Sequence, residues 1–114
     1  MVPCLNDLQL EFQDRIDFRF VYITEAHAVD EWPISSGRYN KDKVPVSYTQ
    51  PKSTEERKKI VQDFISNMNL QMPVLLDVVE KGDQFEQHFA PWPLRFYVIK
   101  KSAESNGKRE LVYL

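Results

Sequence analysis

The chain has 114 residues, 42% of them hydrophobic, with seven Phe, five Tyr and two Trp, which is enough for one packed domain spanning 1–114 and too apolar for global disorder. Its net charge of −2 comes from interspersed acidic and basic residues, so the basic patch of a nucleic-acid binder is excluded. No apolar run approaches the ~20 residues of a membrane span, no leader-like start is visible, and a single cysteine excludes an internal disulfide or a CxxC pair. The expectation from these features is a soluble intracellular chain.

In chain order, Pro3 to Arg15 reads as a helix, with Leu5, Leu8, Phe12 and Ile16 on one apolar face. Pro3 suits a first helical turn, where its missing N–H costs nothing. Residues 18–24 follow as a strand. Phe18, Phe20, Val21, Tyr22 and Ile23 form an almost unbroken aromatic and β-branched run, the pattern of a strand covered on both faces. Residues 33–52 form a long connection punctuated by Pro33, Gly37, Pro45 and Pro51, with an extended piece predicted at 44–48.

Ser53-Thr-Glu-Glu56 is a capping box. It opens a helix to about Met68 with a buried stripe of Ile60, Val61, Phe64, Ile65 and Met68. Arg57, Lys58, Lys59 and Asp63 are expected off that stripe. Val74 to Val79 reads as a second buried strand. Residues 83–89 make a short helix capped by Asp83 that packs Phe85 and Phe89. Residues 94–100 form a third strand. Ser105-Asn106-Gly107 signals a hairpin into a fourth, antiparallel strand at 110–113.

Strand 18–24 is expected at the centre of the sheet, parallel to strand 74–78 and covered by helices 4–15 and 54–68, which requires Val21 and Leu75 to be less than half exposed. The first strand also ends in titratable groups. Ligands of open α/β sheets bind beyond such carboxyl ends. Glu25 and His27 are two apart on an extended segment, so they share a face and are expected to lie close together, with Tyr22 within reach. A carboxylate beside an imidazole can relay protons. On spacing alone, a surface pair at a strand end is the commoner reading of the same two residues. Glu25, His27 and Asp30 match no closed zinc pattern, so no metal is expected. Trp32 reads either as a core anchor under the long connection or as a site residue. His88 reads as a solvent-facing residue of the short helix. Cys4, inside the first helix, reads as a small buried or half-buried residue rather than a nucleophile, although a thiol near a helix start can be acidified.

The segment Tyr22-Ile23-x-Glu25-Ala26-His27-x-x-Asp30-x-Trp32 resembles the signature of the iodothyronine deiodinases. Three further stretches agree in the same order: Gln50-x-x-Ser53-x-Glu55-x-Arg57, Val74-Leu75-Leu76-Asp77, and Trp92-Pro93-x-Arg95-x-Tyr97-Val98-Ile99. The resemblance covers residues 8–99.

It implies an α/β class, with a thioredoxin-like mixed sheet flanked by helices, here without that fold's first strand and last helix. It also implies an oxidoreductase of a selenoprotein family. In its reaction an aryl carbon–iodine bond is cleaved, a selenolate or thiolate takes the iodine, and the carbon takes a proton. Tyr22, Glu25 and His27 correspond to the residues proposed to deliver that proton. Trp32 and Arg95 fall in segments implied to contact the substrate. The implied partners are an iodothyronine-like phenol, a thiol reductant as cosubstrate and a second copy of the chain. No other cofactor is implied. The family is membrane-anchored, and this chain shows no membrane segment of its own.

Three departures qualify the match. The family's nucleophile turn would fall upstream of Met1. Pro51 stands where the family carries a substrate-contacting histidine. Glu31 replaces a glycine of the Asp-x-Trp segment. The chain as written is therefore expected to be inactive alone. The alternatives are a non-enzymatic truncated paralogue acting as a pairing or regulatory module, and a peroxiredoxin-like thiol redox domain. Trp92-Pro93 could hold a cis peptide by analogy with thioredoxin folds, above the ordinary X–Pro rate of about 5–6% but with trans still the more frequent form.

Overall fold

The computed structural model describes residues 1–28, 30–31, 48–92, 94–101 and 109–113. Among the described residues, three α-helices and four strands occur in the order α1 (Val2–Phe12), β1 (Phe20–Tyr22), α2 (Thr54–Met68), β2 (Val74–Leu76), α3 (Gln84–Phe89), β3 (Val98–Lys101) and β4 (Arg109–Tyr113). A single 3₁₀ turn at Val79–Lys81 precedes α3. This is a small mixed α/β arrangement.

The expected parallel pairing is present. Phe20, Val21 and Tyr22 face Val74, Leu75 and Leu76 in register. The ladder is extended at both ends: Phe20 N–H donates to Pro73 O at 3.0 Å and Asp77 N–H to Tyr22 O at 3.0 Å. The strands are shorter than expected, and among the described residues β1 pairs with β2 alone and so is not central. β1 and β2 form one two-stranded sheet, while β3 and β4 form a separate antiparallel one. Leu75 is 52% exposed, above the half-exposed limit set for a strand covered on both sides. An apolar run thus marks the strands correctly but not how many faces are covered. The third strand begins at Val98 rather than at 94; the fourth lies where the hairpin signal puts it.

One face of the β1–β2 pair is packed. Val2, Leu70 and Met72 are buried together, with Leu5, Phe18, Phe20, Phe64, Ile65 and Val74 against them. Phe20 and Tyr22, two apart and on the same face, both touch the Phe64 ring, at centroid distances of 5.5 and 5.7 Å.

The capping box forms with one change of partner. Ser53 Oγ accepts from Glu56 N–H at 3.2 Å, but the Glu56 carboxylate reaches Lys52 N–H at 2.8 Å, one residue before the cap. Asn69 closes α2 in the left-handed region (φ 52°), a conformation asparagine tolerates.

Two expectations about helix faces are corrected. Helix α1 ends at Phe12, and its inner face runs through Val2, Leu5 and Asn6; Leu8 and Ile16 are exposed. Asn6 displaces them because its amide is a connector. Its Nδ2 donates to Asn69 O at 2.7 Å and its Oδ1 accepts from Gln71 N–H at 3.0 Å, tying α1 to the end of α2. Asn6→Ala is expected to cost about 2 kcal/mol in urea unfolding, since both backbone partners lose their bond at a site with little water. Cys4 is exposed in the first turn of α1, not half-buried.

In α2, Arg57 lies on the inner stripe one turn before Val61 and is 1% exposed, while Met68 is exposed. Asp83 stands before α3 in the left-handed region, but its carboxylate does not cap the helix. The cap comes from Asp77, whose two oxygens accept Phe85 N–H at 3.0 Å and Glu86 N–H at 2.9 Å. Phe85 and Phe89 stack on each other at 4.7 Å, and both meet Tyr97 edge-on. Tyr97 also donates its hydroxyl to Phe89 O at 2.7 Å, which fixes the base of the β3–β4 hairpin to α3.

The predicted extended piece at 44–48, apart from Tyr48, and the peptide bond at Pro93 lie outside the described residues. Among the described residues, no helix is long and apolar enough to cross a membrane.

Candidate functional site

The sheet ends where Tyr22 leaves β1, and the next three residues turn back toward it. Tyr22 is held edge-on against Phe64 of α2. Its hydroxyl donates to Oε1 of Glu25. The backbone of Glu25 is fixed by a side chain rather than by a neighbouring strand. Gln50 Oε1 accepts Glu25 N–H at 3.0 Å, and Gln50 Nε2 donates to Glu25 O at 3.1 Å and to Glu31 Oε2 at 3.0 Å. Gln50 N–H in turn donates to Asp30 Oδ1 at 2.7 Å. One glutamine therefore closes both ends of the long connection onto the segment that carries Glu25.

The electrostatics follow from this packing. Burial pushes the Tyr22 phenol well above the ordinary tyrosine range. The hydrogen bond to Glu25 and the charge of Glu25 push the same way, as does nearby Tyr48, while the positive charge of Arg57 opposes them. Tyr22 is thus a neutral donor throughout the neutral range. Tyr48 is shifted upward as well, by burial first and then by the charges of Asp63 and Glu25.

Arg57 is the residue that pattern reading places wrongly. Its Nη1 donates to Asp77 O at 2.6 Å and to Asp83 Oδ1 at 2.5 Å, and its Nε has no acceptor among the described residues. Thr24 donates its hydroxyl to Glu86 of α3. A shallow cleft of about 370 Å³ lies beside this contact, lined by Thr24, Gly82, Asp83, Glu86 and Gln87. A larger depression of about 460 Å³ lies around Arg15, Phe18, Arg19 and Pro73, at the other end of β1, and includes none of the site residues.

Of the residues expected at the site, the structure joins Tyr22 and Glu25 directly. His27 lies two residues further on, exposed on the turn, whereas Glu25 is half-buried. Trp32 lies outside the described residues. Arg95 is exposed on the segment leading into β3, and His88 is exposed on α3 with Nδ1 2.6 Å from Gln84 O. No group of three or more His, Cys, Asp or Glu among the described residues is placed to hold a metal ion.

Gln50, Arg57 and Asp77 were not singled out as functional from the sequence. Each lies in one of the stretches that carry the resemblance, and that was the available signal. Among known proteins, no family model matches the chain, and no solved structure is significantly similar to it.

Proposed function

We propose that this chain carries the proton-delivery part of an iodothyronine deiodinase-like oxidoreductase. The observation that carries the reading is the Tyr22–Glu25 hydrogen bond at the carboxyl end of a strand in a parallel pair. In this reaction an aryl C–I bond breaks. The iodine leaves as an iodonium equivalent to a selenolate or thiolate, and the carbon takes a proton. The aryl carbon that loses iodine is a strong base, so even a phenol held above its ordinary range can protonate it, and the hydrogen-bonded Glu25 is the adjacent group through which that proton would be replaced. His27, exposed on the turn after Glu25, is the proposed link to solvent protons. Trp32 and Arg95 are proposed substrate contacts, and a small thiol is the proposed reductant.

The chain by itself is expected to release no iodide. The family's nucleophile turn has no counterpart in these residues. Cys4 is exposed but out of place in the motif order. The measurement is iodide release from an iodothyronine with dithiothreitol, alongside Cys4→Ser. Release lost in Cys4→Ser would make Cys4 the nucleophile instead. The positive test joins a strand and a cysteine turn in front of the chain. That version should release iodide; His27→Ala should lower the rate by roughly 10²-fold or more at similar stability, and Tyr22→Phe should lower it as far while also removing the hydroxyl's bond to Glu25. No release from it would overturn the reading.

A second reading, a non-catalytic pairing module, is favoured by the hairpin. Val98, Ile99 and Val112 are 50%, 52% and 57% exposed, a patch of apolar surface on one two-stranded element. It predicts association without iodide release even when the cysteine turn is supplied.

A further inference from the structure

Arg57 is buried, charged and unused by the chemistry proposed above. A guanidinium withdrawn from water destabilises a fold unless its bonds do something in return. Two hydrogen-bonded routes begin at Arg57, and both end at the site. In the first, Nη1 holds Asp77 O, and the N–H of Asp77 donates to Tyr22 O at 3.0 Å. In the second, Nη1 also holds the Asp83 carboxylate beside the start of α3, whose first N–H groups sit on Asp77. That helix then presents Glu86 to the hydroxyl of Thr24. Tyr22 and Thr24 are the residues from which the chain turns to bring Glu25 back onto the phenol.

We propose that Arg57 is a positioning residue for the Tyr22–Glu25 pair, holding the carboxyl end of β1 through the Asp77 peptide on one side and through α3 on the other. The inference rests on the functional reading of that pair, so its test reads the pair's geometry rather than activity. The guanidinium also lies close enough to the phenol for its charge to act there, which agrees with this placement.

The experiment is NMR of the chain labelled with ¹³C at tyrosine Cζ, with the Tyr22 signal assigned by its disappearance in Tyr22→Phe. Glu25→Gln sets the size of the change when the phenol loses its carboxylate. Arg57→Met is expected to move the Tyr22 signal most of that distance. Arg57→Lys, which keeps a charged donor for Asp77 O, should fall between it and wild type. Val61→Ala, one turn along the same buried stripe, should lower stability and leave the signal in place. That separates positioning from general loosening.

If Arg57→Met does not fold, Arg57→Lys carries the test. A signal that responds to Glu25→Gln but not to the Arg57 substitutions overturns the proposal and leaves the functional reading standing. A signal that responds to neither overturns the pair itself. A full response in the labelled chain, combined with no iodide release from the cysteine-bearing version, overturns the functional reading alone.

Discussion

Asp83→Asn is expected to lower the unfolding free energy by about 3 kcal/mol, measured by urea denaturation at neutral pH. The reason lies with the partner. Arg57 is 1% exposed, whereas the Asp83 side chain is 30% exposed. Removing the acid leaves a desolvated guanidinium without its counter-ion, a situation that costs about 3–5 kcal/mol when one partner of a buried pair is deleted. Asparagine keeps an acceptor for Nη1 and tolerates the left-handed backbone at this position (φ 50°), so the lower end of that range applies. Arg57→Met should cost less. It removes the desolvated charge and leaves an acid that water can reach. A larger loss in Arg57→Met than in Asp83→Asn would mean that packing around residue 57, and not its charge, dominates.

Tyr22→Phe is expected to flatten the alkaline limb of the stability profile. The folded phenol holds its proton more tightly than a tyrosine of the unfolded chain, whose pKa is about 10. Below about pH 10 both states are protonated and the full contribution is present. Above it the unfolded chain loses its proton first, so stability falls as pH rises. The slope for one proton is at most about 1.4 kcal/mol per pH unit. Wild type should therefore lose stability faster than Tyr22→Phe between about pH 10 and 12. Tyr48, shifted in the same direction, leaves a residual slope in the variant. Parallel alkaline limbs for the two proteins would show that Tyr22 is not held as described.

Local features were the legible part of this fold. The apolar runs at Phe20–Tyr22 and Val74–Leu76, the Ser53 cap and the hairpin after Lys101 are set by neighbouring residues, and they appear where the patterns put them. Polar residues with long-range partners were not legible. Asn6 and Arg57 sit on helical stripes that the hydrophobic pattern assigns to apolar neighbours, because periodicity counts a polar side chain as solvent-facing. Their burial depends on backbone acceptors far off in sequence, Asn69 O and Asp77 O. Asp77 caps a helix that starts seven residues later, beyond the reach of any capping-box rule.

At the site, the period-two spacing of Glu25 and His27 suggested convergence on an extended segment. The chain is already turning at those residues, so alternation no longer governs them. The hydrogen bond across that turn joins Tyr22 and Glu25, three apart.

The parallel register of β1 and β2 also bears on when the site comes into being. A helix or a hairpin closes over a few residues, but Phe20 meets Val74 only after the long connection and the whole of α2 have been drawn together. Loop-closure entropy must be spent before that contact gives anything back, and such pairings slow folding. Tyr22 sits on that pairing, and Glu25 is held by Gln50 from the far end of the connection. A nascent or partly unfolded chain can thus carry α2 and the β3–β4 hairpin while the phenol and carboxylate are still apart. The site is therefore expected to form late in folding and to be lost when the parallel pair opens.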